Sequence, residues 1–124
     1  MNTAITKSYK DLIVWQKGVT LSVIVYELTE KFPNEERYAL TSQMRRAAVS
    51  IPSNIAEGRC RSTKKDFIHF LHISLGSAAE LETQIEIARR IAKTSALSYT
   101  EVEALLAEVM KMLNSLISKL EANS

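Results

Sequence analysis

One stretch decides the fold of this chain: Gln43-Met-Arg-Arg-Ala-Ala-Val-Ser-Ile-Pro-Ser-Asn-Ile-Ala-Glu-Gly-Arg-Cys-Arg61. Its apolar residues recur at three- and four-residue spacing, which places them on one face of a helix: Met44, Ala47, Ala48, Ile51 and Ile55. Pro52 lies inside the pattern, and because proline lacks an N–H we expect a kink there. Gly58 follows the last apolar position, where we expect a left-handed glycine to end the helix.

Basic residues surround the end of this helix. Between residues 45 and 65 the chain has one acidic residue, Glu57, and six basic ones: Arg45, Arg46, Arg59, Arg61, Lys64 and Lys65. Phosphate contacts need positive charge and no sequence readout, so these six are the candidate nucleic-acid-binding residues. Two alternatives stay open: Arg45 and Arg46 form ion pairs with Glu80, and Lys64 and Lys65 are simply solvated.

The same helical spacing continues in three further segments. We predict helices over about 12–31, 35–57, 63–93 and 98–120, and no strand. Short connections make neighbouring helices antiparallel, so the predicted fold class is all-α, an antiparallel up-down four-helix bundle. The bundle domain spans residues 11–121, after a polar and flexible segment at 1–10.

Polar residues just before the helices predict how they begin. Asp11 and Asn34 are the expected N-caps of the first and second helices, and Ser62 or Thr63 that of the third. Gly76 falls within the third helix, where glycine costs roughly 1 kcal/mol against alanine if exposed. We therefore expect Gly76 to mark a close helix crossing.

Asn54 lies at the edge of the apolar face of the second helix. An unpaired buried amide costs roughly 1–3 kcal/mol. We therefore predict that Asn54 is largely buried and hydrogen-bonded, with Ser74 and Ser77 as the facing polar side chains.

The first predicted helix has two apolar faces. One comprises Trp15, Val19, Val23 and Tyr26, and the other Ile13, Leu21, Ile24 and Leu28. A bundle covers only part of a helix's circumference, so either this helix is central or it also contacts another subunit. We predict a homo-oligomer with Trp15, Val19, Val23 and Tyr26 at the interface.

Composition narrows the class of protein. The 124 residues are 46% hydrophobic with a net charge of +2, which favours one folded domain over disorder. The single cysteine excludes an internal disulfide and fits the reducing cytoplasm. No apolar run reaches the ~18 residues of a membrane span, and residues 1–8 lack a signal-peptide core. We therefore expect a cytoplasmic protein with no membrane partner.

No residue pattern points to a reaction. His69 and His72 share a helix side, but no further ligand is spaced one turn away. Cys60, between two arginines, has no assigned base. The glutamates near Arg89 and Arg90 fit solvated helix pairs. We predict no catalytic residue, no cofactor and no metal site, and therefore no enzyme.

The stretch from Gln43 to Gly58 resembles the signature of the 23S ribosomal RNA intervening-sequence proteins, also called the four helix bundle protein family. The similarity continues at residues 12–17, 32–41 and 76–82, with Trp15, Phe32-Pro33 and Gly76-Ser77 among the matching residues. It covers roughly residues 9 to 120. The chain departs from the family at Gly18, where the usual residue is alanine.

This resemblance implies an up-down bundle assembled into a homopentamer. A relative, the accessory variability determinant of diversity-generating retroelements, is a basic pentamer that binds nucleic acid and a reverse transcriptase. Two functions are therefore considered: an oligomeric accessory protein that binds RNA or DNA, and a structural or protein-docking module with no nucleic-acid ligand.

Overall fold

The computed structural model describes residues 8–123, which form four long helices. They are α1 (Ile13–Thr29), α2 (Leu40–Arg59), α3 (Lys64–Arg90) and α4 (Thr100–Ala122), with short 3-10 helices at Tyr9–Asp11 and Asn34–Glu36. No strand occurs in this part of the chain. Most of the segment predicted to be flexible, residues 1–10, lies outside the described residues.

Each helix packs against two others, α1 and α3 both lying between α2 and α4. The predicted apolar face of α2 lies in the centre, where Leu21, Met44, Ile55, Leu81 and Leu113 are fully buried. For the face of α1 that contains Ile13, Leu21, Ile24 and Leu28 the prediction was only partly right, since Leu21 and Leu28 are buried but Ile13 is 58% exposed. The prediction of an all-α four-helix arrangement is confirmed.

The second helix begins five residues later than predicted, at Leu40. Asn34 does not cap it; residues 34–36 form a 3-10 turn, and a Glu36 carboxylate oxygen accepts the Leu40 N–H at 3.4 Å. Residues 37–39 are exposed, so they gain no core contact from being helical. Arg37 and Tyr38 therefore lie in a connection at the end of the bundle.

The predicted caps of the other two helices had different outcomes. Asp11 is not the N-cap of α1; that position is Leu12, which makes no side-chain cap hydrogen bond. Thr63 is confirmed as the N-cap of α3, since its Oγ1 accepts the Asp66 N–H at 3.1 Å.

Both glycine predictions were wrong. Gly58 is not left-handed, and α2 continues to Arg59. Instead Gly58 is where α2 and α3 approach, because a Cβ atom there would lie 2.6 Å from the Phe70 Cβ. Gly76 is exposed, with nothing within 4 Å of such an atom, and marks no crossing.

The contact between α1 and α2 is built around Pro52. Because proline has no N–H, the Ala48 carbonyl four residues earlier loses its usual helical donor. The Ser22 hydroxyl of α1 lies 3.1 Å from that carbonyl and 3.0 Å from the Gly18 carbonyl of its own helix, so its hydrogen is shared between the two acceptors. The helix α2 stays continuous. Gly18 allows the close approach, since a Cβ there would lie 3.3 Å from the Pro52 Cβ.

A polar chain links α2 to α3. Asn54 is half-buried and donates to the Ser50 carbonyl and hydroxyl, at 2.8 and 2.9 Å. The Ser50 hydroxyl in turn bonds that of Ser77, and buried Ser74 donates to the Ile51 carbonyl. Asn54 is thus hydrogen-bonded as predicted, but less buried, and it reaches Ser77 only through Ser50.

Candidate nucleic-acid interface

A groove of about 650 Å³ opens on α2 near its N-terminal end. We call it the arginine groove; it is lined by Tyr26, Arg37, Tyr38, Thr41, Ser42, Arg45, Arg46, Val49 and Ser50. None of these described lining residues is acidic. Three guanidinium groups therefore share this surface; Arg45 is paired with Glu30 beside the groove, whereas Arg37 and Arg46 have no ion pair within residues 8–123.

Arg45 is fixed at the edge of the groove by residues of α1. Its Nε donates to the Thr29 hydroxyl at 2.8 Å, and its Nη2 contacts Glu30 at 3.2 Å. Its guanidinium also lies 4.4 Å from the centre of the Tyr26 ring. Arg45 is therefore a partly buried structural residue whose ring partner, Tyr26, is held in the groove with it.

The predicted pairing of Arg45 and Arg46 with Glu80 was wrong. Arg45 lies one turn before Ala48, the residue that bonds Ser22, so it faces α1 rather than α3. Arg46 points outward, exposed, and within residues 8–123 it has no ion pair. Of the two, Arg46 is the one available to a ligand.

The connection before α2 supplies the two groove residues that sequence reasoning missed. Arg37 and Tyr38 are both exposed, and the Arg37 guanidinium lies 5.7 Å from the Tyr38 ring centre. Tyr38 is 89% exposed, far more than any other large hydrophobic side chain described. The apolar spacing of α2 begins at Leu40. A helix start predicted there would have left Arg37 and Tyr38 in the connection before it.

The second basic cluster, which we call the basic corner, comprises Arg59, Arg61, Lys64 and Lys65 at the α2–α3 connection. We expected its side chains to be unpaired, and for Arg61 this was wrong. Arg61 contacts Glu57, four residues earlier in the chain, at 2.7 Å, and its guanidinium lies 4.8 Å from the Phe70 ring centre.

The lysines of the basic corner are exposed. Lys64 donates to the Asn123 carbonyl at 2.8 Å, which ties the corner to the C-terminal end of α4. Lys65 has no ion pair among the residues described. The corner and the arginine groove lie at opposite ends of α2, about 20 Å apart given the helical rise of 1.5 Å per residue.

The proposed interface of α1 is open to solvent along most of its length. Val19, Val23 and Tyr26 are 37%, 52% and 44% exposed. Trp15 is half-buried, and its ring centre lies 5.3 Å from that of Tyr9. We call Val19, Val23 and Tyr26 the apolar strip; it ends at the arginine groove, since Tyr26 belongs to both.

The residues considered for chemistry have contacts of their own or face solvent. His69 packs edge-on against Phe70, His72 lies 3.6 Å from Glu121, and Cys60 is exposed. Within residues 8–123, no group of three or more His, Cys, Asp or Glu side chains is placed to hold a metal ion.

The Tyr99 side chain is buried at the connection between α3 and α4. Burial raises the pKa of Tyr99, against the lowering effects of the Thr94 side chain and of nearby Arg89. Its hydroxyl donates to the Thr94 carbonyl at 2.8 Å, which fixes the connection between α3 and α4. None of the helices described has the length and apolar character to cross a membrane.

The model of one protein family, the 23S rRNA-intervening sequence protein, matches residues 10–115. The chain belongs to this family. It is also similar to a crystal structure of a protein of unknown function from the S23 ribosomal protein family of Bacteroides thetaiotaomicron. The two are 28% identical with a TM-score of 0.74, over 86% of this chain and 96% of that one. A search of curated proteins finds no match. The family resemblance noted from the sequence is confirmed.

Proposed function

We propose that this protein is a non-enzymatic, oligomeric accessory factor that binds the backbone of nucleic acid through arginine and lysine side chains. The observation that carries the proposal is the arginine groove, with three arginines and no acidic lining residue. Phosphate oxygens complement such a surface, and guanidinium groups bind them in a bidentate manner. Arg37 and Arg46 are the ligand-binding arginines, and Arg45 positions Tyr26.

The family and the charge distribution support this proposal. The matched family is named after 23S rRNA, which makes ribosomal RNA the first ligand to test. The net charge of +2 is small, so the affinity rests on where the charges lie. The basic corner is a second contact surface, with Lys65 as its most available charge. In this proposal the protein acts in the cytoplasm.

Assembly multiplies these surfaces. We propose that the apolar strip contacts a second copy of the chain, with five copies in the complete ring. A ring repeats each basic surface around one axis and raises the charge that a nucleic acid meets. Light scattering should give five times the single-chain mass of 13.9 kDa. Val23→Glu should reduce that mass, because it places a charge in an apolar interface; a native protein of single-chain mass would contradict the proposal.

Three double variants with equal loss of charge test the binding surface. Arg37→Ser/Arg46→Ser removes the two exposed arginines of the groove. Lys64→Ser/Lys65→Ser removes the two lysines of the basic corner, and Lys111→Ser/Lys119→Ser removes two exposed lysines of α4 as a control. Exposed charges contribute little to stability, so all three should fold.

Fluorescence anisotropy with labelled RNA and DNA at low salt then measures affinity. The groove variant should bind most weakly and the α4 variant almost as well as the native protein. The slope of the logarithm of the association constant against that of salt concentration should become shallower by roughly 0.7–0.9 for each lost phosphate contact. Equal affinity in all three variants would refute a localised site.

The exposed apolar strip favours a second candidate, a structural or protein-docking module. Val23 is more than half exposed, which a protein with only a phosphate ligand does not require. This candidate is favoured if the native protein binds neither RNA nor DNA at low salt.

A further inference from the structure

Two tyrosine rings accompany the arginines of the groove. Tyr38 extends from the connection before α2 with 89% of its surface exposed, and Tyr26 rises from α1 with 44% exposed. Each ring has a guanidinium beside it, Arg37 at 5.7 Å and Arg45 at 4.4 Å from the ring centre. Aromatic rings and positive charge thus alternate along one surface.

The packing of the fold does not account for the position of Tyr38. Its ring lies against no core residue, and within the described chain its only ring contact is Arg37. Tyr26, in contrast, is held by Arg45, which Thr29 and Glu30 fix in turn. Tyr26 therefore has a partner fixed by α1, whereas most of the Tyr38 ring is open to a flat ligand.

A nucleotide carries both groups that this surface complements. Its base has a π-face that stacks on an aromatic ring, and its phosphate carries the charge that arginine binds. Bases within a duplex are already stacked on each other, so only unpaired bases can reach Tyr38. The groove is broad and largely open, so a strand can lie across it.

We propose that the arginine groove binds unpaired nucleotides of single-stranded nucleic acid, with a base stacked on Tyr38 and the adjacent phosphate on Arg37 or Arg46. Val49 provides apolar contact for the same nucleotide or its neighbour. This inference rests on the proposed function and adds to it the strandedness of the ligand and a base-stacking residue.

The experiment compares Tyr38→Ala with Tyr38→Phe, which keeps the ring. Binding is measured to a single-stranded RNA of about ten nucleotides, to a duplex of the same length, and to inorganic polyphosphate. Tyr38→Ala should weaken binding of the single strand roughly 5- to 150-fold, the cost of one lost stacking contact. Tyr38→Phe should bind as the native protein does, and neither variant should change duplex or polyphosphate binding.

Failure of this inference is distinct from failure of the proposed function. If Tyr38→Ala binds the single strand normally while Arg37→Ser/Arg46→Ser does not, the groove contacts phosphate alone and the stacking role is overturned. If the native protein binds none of the three probes, the proposed function itself fails. Light scattering on Tyr38→Ala gives one further outcome: a changed mass would mean that a second copy of the chain occupies the groove, which also overturns the inference.

Discussion

Gly58→Ala should destabilise the protein, although alanine is the better helix former. A Cβ at residue 58 would lie 2.6 Å from the Phe70 Cβ and 3.2 Å from the Phe67 carbonyl oxygen. Neither atom can rotate away, because the Cβ and the carbonyl are fixed to the backbone of α3. The two helices must therefore separate.

The size of the effect follows from two opposing terms. Overpacking of this kind costs about 1–3 kcal/mol, and replacing a helical glycine by alanine returns up to about 1 kcal/mol. Since the contact is far below van der Waals distance, we expect a net loss of about 1–2 kcal/mol. Gly76→Ala is the matched control: nothing lies within 4 Å, so it should gain about 0.5–1 kcal/mol.

Urea unfolding followed by far-ultraviolet circular dichroism measures both variants. With a slope of about 1–3 kcal/mol per molar urea, the two midpoints should move in opposite directions by several tenths of a molar or more. Protein concentration must be kept equal, because an oligomer's stability depends on it. Gly58→Ala unfolding at or above the native midpoint would refute the role assigned to Gly58.

Two further predictions concern buried hydrogen bonds. Ser22→Ala should lower the free energy of unfolding, measured in urea, by about 1–3 kcal/mol, because it leaves the Ala48 carbonyl without a donor beside Pro52. In a Pro52→Ala background, which restores the helical N–H, the same change should cost clearly less. Tyr99→Phe should cost about 0.5–1.5 kcal/mol at neutral pH. Folding raises the pKa of Tyr99, so its contribution to the free energy of unfolding is complete below about pH 10 and is lost as pH rises through the folded-state pKa. The difference in stability between native and Tyr99→Phe proteins should therefore shrink in alkali. A constant difference would contradict this.

The helical fold was predictable because each helix repeats a strong apolar pattern. Met44, Ala48 and Ile55 mark the buried face of α2 without any knowledge of its neighbours. The cap at Thr63 was equally local, since it needs only a hydroxyl before the first turn. The start of α2 was predicted wrongly because Asn34 and its acidic neighbours resemble a helix start. The buried face of α2 begins only at Leu40.

The candidate site was less predictable, because its properties depend on which helices meet. Gly58 and Gly76 look alike in sequence, and only the position of Phe70 distinguishes them. Arg45 and Arg46 are adjacent, yet a rotation of about 100° between them directs one toward α1 and leaves the other in solvent. Basic composition identified Arg46, but the grouping with Tyr38 required the structure.

The salt dependence of binding of the native protein to single-stranded RNA is the most direct test of the central claim. If Arg37 and Arg46 contact phosphates, the logarithm of the association constant should fall linearly with that of salt concentration, with a slope of about −1.4 or steeper. Affinity should then drop markedly between about 50 and 200 mM salt. Binding that does not change with salt, or no binding at the lowest salt, would contradict the account.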